Sequence, residues 1–130
     1  MSVGIVLVTH DDVGDALLNA AVSALGMCPL NVEVLSVRRT DTPELMIAEA
    51  KTLVARVEQG CGVIVMTDIY GSTPSNIAMA LQQSDKVKLV AGLNLPMLIK
   101  VFNYPRFSLD ELVQKALEGG REGILYYCAS

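Results

Sequence analysis

The chain is 130 residues long, with 52% hydrophobic and 18% charged residues and a formal net charge of -4. This length predicts a single domain over residues 1–130, and the high apolar content excludes an intrinsically disordered chain. The acidic balance, without a cluster of Lys or Arg, argues against partners such as nucleic acid or an anionic membrane surface. No apolar run approaches the roughly 20 residues of a membrane span, so we expect a cytoplasmic protein without direct membrane insertion.

Short apolar runs alternate with longer amphipathic segments along the chain. The apolar runs predict β-strands at residues 3–9, 32–37, 62–67, 87–93 and 124–128. Helical spacing of apolar residues predicts α-helices that begin after Asp11 or Asp12, at Pro43, at Pro74, at Pro96 and after Ser108. Glycines predict where helices end, at Gly26, near Gly60 and at the pair Gly119–Gly120. Ser108 and Glu111 have the spacing of a capping box.

The order of these elements predicts the fold class. Repeated strand–helix alternation is typical of a doubly wound, mostly parallel α/β sheet with helices on both faces. With the second strand outside the first and the third on its other side, the strand order is 2-1-3-4. Sheets of this kind bind ligands beyond the carboxyl ends of strands where the strand order reverses, which here lies between the first and third strands.

Two side chains with useful chemistry fall at this point. His10, the only histidine, follows the first strand, and Asp68 follows the third. A carboxylate that accepts a hydrogen bond from one imidazole nitrogen fixes the tautomer and leaves the other nitrogen free as a nucleophile. We therefore predict a catalytic pair of His10 and Asp68. The sequence does not identify the reacting nitrogen, but Asp68 at Nδ1 would leave Nε2 as the acceptor. The alternatives are a surface or capping histidine and an aspartate that only caps a helix.

The segment after Asp68 has the composition of a phosphate site. Gly71 permits a tight turn, while Ser72 and Thr73 supply hydroxyl and backbone N–H groups at the start of a helix. This is not a P-loop, because no lysine follows in the required arrangement. A hydrolase is disfavoured, since the chain has no GxSxG motif. The single histidine and three scattered cysteines predict no metal site, reduced thiols and no cofactor.

Three motifs carry a resemblance to a known family. GIVLVTH ends at His10, TDIYGSTPSNIA begins at Thr67, and GLNLPMLIKVFNY begins at Gly92. Over essentially its whole length, the chain resembles the IIA component (EIIA) of the mannose family of the bacterial phosphoenolpyruvate-dependent sugar phosphotransferase system (PTS). The resemblance implies that His10 accepts a phosphoryl group from the carrier protein HPr and passes it to a IIB protein or domain.

The resemblance further implies roles for individual residues. Asp68 would orient the His10 ring, and Gly71, Ser72 and Thr73 would line the phosphate site. The protein would be a homodimer whose C-terminal strand, residues 124–128, crosses to the sheet of the partner. The family commonly has Gly after the active histidine, whereas this chain has Asp11 followed by Asp12. These charges could slow the acceptance of an anionic phosphoryl group or select the docking partner.

Two other functions stay open at this point. A free-standing IIA protein without a fused IIB domain could be a sensor that reports phosphorylation state to a regulatory target. An aspartyl-phosphate receiver is the second alternative, since Asp11, Asp12 and Asp68 could form an acidic Mg²⁺ pocket. Against the receiver, Gly92-Leu93-Asn94 replaces the expected Ser/Thr after the fourth strand, and no Lys follows the last strand. The sequence does not identify the sugar.

Overall fold

The computed structural model describes residues 1–129, in which parallel strands alternate with helices. The strands are β1 (Gly4–His10), β2 (Val32–Val37), β3 (Val63–Thr67) and β4 (Val87–Ala91). The helices are α1 (Val13–Leu25), α2 (Pro43–Val57), α3 (Thr73–Met79), α4 (Leu95–Phe102) and α5 (Leu109–Glu122). No helix in this described range is long and apolar enough to cross a membrane.

The four strands form one parallel sheet in the order β2-β1-β3-β4. This confirms the predicted strand order and the doubly wound α/β class. A helix joins each strand to the next strand along the chain. The strand order reverses at β1, which pairs with β2 on one side and with β3 on the other. The carboxyl ends of β1 and β3 therefore flank the predicted crevice.

Helices cover both faces of the sheet, which explains why β1 is apolar without interruption. Ile5 and Leu7 belong to the core formed with α1, α4 and α5, whereas Val6 and Val8 belong to the core formed with α2 and α3. Successive side chains of a strand point to opposite faces, so a strand covered on both sides needs apolar residues at every position. All four of these side chains are fully buried.

Helix α5 corrects one expectation from the sequence. Gly119 and Gly120 do not end this helix, which continues through them to Glu122. Both glycines are buried, and a Cβ atom on Gly119 would overlap the Cβ of Lys100 on α4. The glycines therefore permit close packing of α4 against α5 instead of breaking the helix. The Ser108–Glu111 capping box at the other end of α5 is confirmed.

The C-terminal segment differs from the predicted closing strand. Residues 124–129 pair with no strand of this chain, and they are exposed. Ile124, Leu125, Tyr126 and Tyr127 are 79–92% exposed. A strand needs a neighbour to satisfy its backbone N–H and C=O groups, and no strand within residues 1–129 lies beside this segment to provide one. Pairing across a dimer needs a second chain and stays a prediction.

Candidate functional site

The carboxyl ends of β1 and β3 bring His10 and Asp68 together. Strand β1 is longer than β3 at this edge. Val8 pairs with Thr67, the last residue of β3, so His10 lies two residues beyond the last pair, next to the loop that begins at Asp68. His10 lies on the same side of β1 as Val6 and Val8, because side chains alternate along a strand. It therefore faces the layer that contains α2 and α3.

The Asp68 carboxylate holds His10 at two atoms. Its Oδ2 lies 3.0 Å from the ring Nδ1 and also accepts a hydrogen bond of 3.0 Å from the His10 backbone N–H. Its other oxygen, Oδ1, accepts from the backbone N–H of Ile69 at 3.1 Å. The Asp68 side chain is only 11% exposed, whereas that of His10 is 43% exposed. A carboxylate at Nδ1 favours the Nδ1–H tautomer, which leaves the lone pair of Nε2 available.

The turn after Asp68 is held by its own polar groups. The Ser72 hydroxyl donates to the carbonyl oxygen of Ile69 at 2.6 Å and accepts from the backbone N–H of Ser75 at 3.4 Å. Gly71 has a φ of 86°, and its N–H donates to Oγ of Ser75 at 3.2 Å. Glycine suits this left-handed conformation because it has no Cβ to clash. The Gly71 N–H and the Ser72 hydroxyl are therefore engaged inside the turn.

A pocket of about 340 Å³ opens beside His10. Thr73 and Pro74, at the start of α3, line it together with His10, whereas Gly71 and Ser72 do not. The structure thus brings His10, Asp68 and Thr73 into one site and places Gly71 and Ser72 in the supporting turn behind it. The remaining wall comes from Asp11, the end of β2, the loop after it and the start of α2.

The loop after β2 contributes pocket residues that the sequence reasoning missed, namely Arg38, Arg39 and Asp41. Arg38 is 2.9 Å from Oδ1 of Asp12 and 3.5 Å from Oδ1 of Asp11. The hydrogen bond to Asp12 is the main cause that raises the pKa of Arg38 above its ordinary value. The sequence does contain a signal for the position of Arg38. Arg38 follows β2 directly, and β2 is predicted beside β1, so its side chain could have been expected near His10.

Asp11 adopts an unusual backbone conformation directly after His10. Its φ of 41° is the only positive φ of a non-glycine residue within residues 1–129. Asp is among the few residues with a side chain that tolerate this left-handed region. Glycine, which the resemblance leads one to expect here, would adopt it without strain. The backbone conformation at position 11 is therefore one that suits glycine, although the residue here is Asp.

The acidic pocket of a receiver is not formed. Asp11 and Asp12 are turned to Arg38, while Asp68 is turned to His10. Within the described residues, no group of three or more His, Cys, Asp or Glu side chains is arranged to hold a metal ion. The geometry therefore favours chemistry on the histidine over chemistry on a metal-bound aspartate.

The chain is thus a doubly wound parallel α/β domain with a histidine–carboxylate pair at the point where the strand order reverses. The family model described as the PTS system fructose IIA component (EIIA-man) matches residues 4–117. The chain belongs to this family of PTS IIA components, as the resemblance predicted.

Similarity to a curated protein agrees with this assignment. The chain is 31% identical over 129 residues to the PTS system mannose-specific EIIAB component of Escherichia coli strain K12. The match covers 95% of this chain but 39% of that relative, so the chain spans about two fifths of the relative's length.

Solved structures share the fold over nearly the whole chain. The mannose/sorbose-specific IIA subunit of Enterococcus faecalis aligns with a TM-score of 0.87 at 23% identity, covering 100% of this chain and 98% of that one. The EIIA component of Streptococcus agalactiae aligns with a TM-score of 0.81 at 24% identity and covers 97% of both chains. At these identities the likeness establishes the fold, and the roles of individual residues must be argued from the site.

Proposed function

We propose that the protein is a cytoplasmic phosphoryl carrier of the sugar PTS. His10 accepts a phosphoryl group from phospho-HPr and passes it to a IIB protein, as a step in carbohydrate uptake and phosphorylation. The observation that carries the proposal is the 3.0 Å contact between Nδ1 of His10 and the nearly buried carboxylate of Asp68. Membership in the IIA family supports the choice of donor and acceptor.

The proposed transfer uses the lone pair of Nε2. This nitrogen attacks the phosphorus atom of the donor phosphohistidine, a bond forms between Nε2 and phosphorus, and the donor's own N–P bond breaks. The electron pair of that bond stays on the donor nitrogen. The Nδ1 proton remains on the ring, which becomes positively charged, and the Asp68 carboxylate stabilises that charge. In the second transfer, a nucleophile on the IIB protein attacks the phosphorus atom and forms a bond to it. The Nε2–P bond breaks, and its electron pair returns to Nε2.

Positioning accounts for the remaining residues of the site. Phosphoryl transfer depends mainly on alignment of the reacting atoms and on stabilisation of charge. Thr73 lines the pocket beside His10 and is the residue of the turn best placed to contact the phosphoryl group. Gly71 and Ser72 contribute to the phosphate site by shaping the turn that presents Thr73. The 43% exposure of His10 leaves the ring accessible to a partner's active residue.

Labelling tests this function directly. The protein is incubated with enzyme I, HPr and radiolabelled phosphoenolpyruvate, and incorporation is followed for wild type and His10→Ala. We expect rapid labelling of wild type and complete loss in the variant, because His10 is the only histidine. The phosphohistidine bond should survive alkali and be lost in acid, whereas an acyl phosphate would be lost in strong alkali. Equal labelling of His10→Ala would show that the proposed acceptor is wrong.

A sensor that reports phosphorylation state is the second candidate function. The pairing of Asp11 and Asp12 with Arg38 favours it, because these charges change the surface next to His10. Single-turnover transfer from the labelled protein to candidate IIB proteins separates the two functions. A transport component passes the label onward within the mixing time, whereas a pure sensor retains it.

The exposed C-terminal segment supports a homodimer as part of the proposal. Four consecutive apolar residues, Ile124–Tyr127, are largely exposed in the single chain. Adjacent exposed side chains of this size are typical of an interaction surface. Pairing of residues 124–128 with the sheet of a second copy would cover them and would also cover an open sheet edge.

A further inference from the structure

The pocket beside His10 contains a cation that is already paired. The two cationic side chains that line it, within residues 1–129, are Arg38 and Arg39. The guanidinium of Arg38 contacts two carboxylates at once, with Nη2 at 2.9 Å from Oδ1 of Asp12 and Nη1 at 3.5 Å from Oδ1 of Asp11. Arg38 therefore lines the pocket while its charge is paired with the two carboxylates that precede α1.

The backbone of Arg38 is held by hydrogen bonds, whereas its side chain is exposed. The preceding residue, Val37, pairs with His10 in the sheet, and its carbonyl oxygen accepts from the Asp11 N–H at 3.0 Å. The Arg38 N–H donates to Oδ2 of Asp41 at 2.8 Å, and the Asp41 N–H donates back to the Arg38 carbonyl at 3.0 Å. The Arg38 side chain is 53% exposed, so its guanidinium can change partners without disturbing the core.

Phosphorylation would change the balance of charge at this point. A phosphoryl group on His10 would bring a charge of roughly -1.5 to -2 into a pocket whose lining includes the acidic residues Asp11 and Asp41. Arginine binds phosphoryl oxygens in a bidentate manner, and such contacts are stronger than those to exposed single carboxylates. The side chains of Asp11 and Asp12 are 68% and 73% exposed, so water can solvate them once the guanidinium leaves.

We propose that Arg38 is the cation that stabilises phosphorylated His10, and that Asp11 and Asp12 hold it in the unphosphorylated protein. On phosphorylation the guanidinium turns from the two carboxylates to the phosphoryl oxygens. The exchange keeps the Arg38 guanidinium paired in both states, and it releases two carboxylates on the surface beside His10. This inference rests on the proposed function of His10.

Arginine NMR and two matched variants test the inference. In ¹⁵N-labelled wild type, the Nε–Hε signal of Arg38 should shift when His10 is phosphorylated, whereas that of Arg56 should not. Arg56 is a suitable control, because it forms an exposed ion pair with Glu33 at 3.4 Å and is 58% exposed. Arg38→Ala should lower the equilibrium constant for transfer from phospho-HPr by roughly tenfold, and Arg38→Lys by roughly threefold, since lysine keeps the charge but loses the bidentate geometry.

The outcomes separate this inference from the proposed function. Arg38→Ala should also change the ³¹P chemical shift of the phosphohistidine, whereas Arg56→Ala should leave it unchanged. If wild type is labelled but the Arg38 signal does not move and Arg38→Ala behaves like Arg56→Ala, the inference is wrong and the proposed function stands. If wild type takes up no label, both are wrong. The NMR experiment on wild type decides the matter even if Arg38→Ala folds poorly.

Discussion

The His10 site and the C-terminal segment differ in whether their side chains have partners within the described chain. The partner of His10 lies within the same chain, because β1 and β3 end side by side. Asp68 contacts Nδ1 of the His10 ring and accepts a hydrogen bond from its backbone N–H. The apolar residues Ile124–Tyr127 leave the end of α5 and remain exposed. One region is a contact formed within a single folded chain, whereas the other is an apolar segment whose proposed partner is a second copy.

The largest expected effect concerns the C-terminal segment. Leu125→Asp should convert a dimer into a monomer, because burying an unpaired carboxylate in an apolar interface costs several kcal/mol. Sedimentation equilibrium measures the change. Leu45→Asp is the matched control, since Leu45 is a leucine on α2 that is 67% exposed. A wild type that is already monomeric, or a variant that stays dimeric, would contradict the role of this segment.

The next effect concerns the orientation of His10. Asp68→Asn should slow phosphorylation by about 10- to 100-fold, because the amide no longer fixes the Nδ1–H tautomer or stabilises the charged ring. Rapid-quench measurement of transfer from phospho-HPr gives the rate. The control is Asp85→Asn, an exposed aspartate outside the pocket. The oligomeric state should not change, so the two regions are expected to respond independently.

The smallest effect concerns α5, which connects the core to the C-terminal segment. Gly119→Ala places a Cβ against Lys100 of α4, and such overpacking costs about 1–3 kcal/mol. Alanine recovers about 1 kcal/mol of helix propensity, so the net loss in free energy of unfolding should be about 1 kcal/mol. Urea denaturation measures it. Gln114→Ala, at an exposed position of the same helix, should stay within about 0.5 kcal/mol of wild type. Equal stabilities would mean that α4 and α5 can separate slightly without cost.

Most of the fold was predictable because local patterns and tertiary packing agree. The continuous apolar run of β1 indicates burial on both faces, and the strand order follows from the short connections of a doubly wound sheet. Ser108 and Glu111 cap α5 through contacts only three residues apart, so the sequence contains the whole signal. His10 and Asp68 could be paired in advance because topology alone brings the ends of β1 and β3 together.

Other features depend on neighbours that are distant in the sequence. The glycine pair at 119–120 is typical of a helix end, yet here it lies inside α5, because the packing of α4 outweighs the low helix propensity of glycine. The contacts of Arg38 with Asp11 and Asp12, which lie 27 and 26 residues earlier in the chain, likewise depend on the pairing of β1 with β2.

The amino-acid sequence by itself determined the class of sheet, the family and the two residues of the central pair. Those features follow from periodicity, caps and motifs, which are local or repeat along the chain. Only the tertiary structure decided that Asp68 contacts Nδ1 of His10, that Thr73 lines the pocket while Gly71 and Ser72 support it, and that Arg38 completes the wall. Side-chain contacts across strand ends depend on register and rotamer, and these are set when the whole core packs.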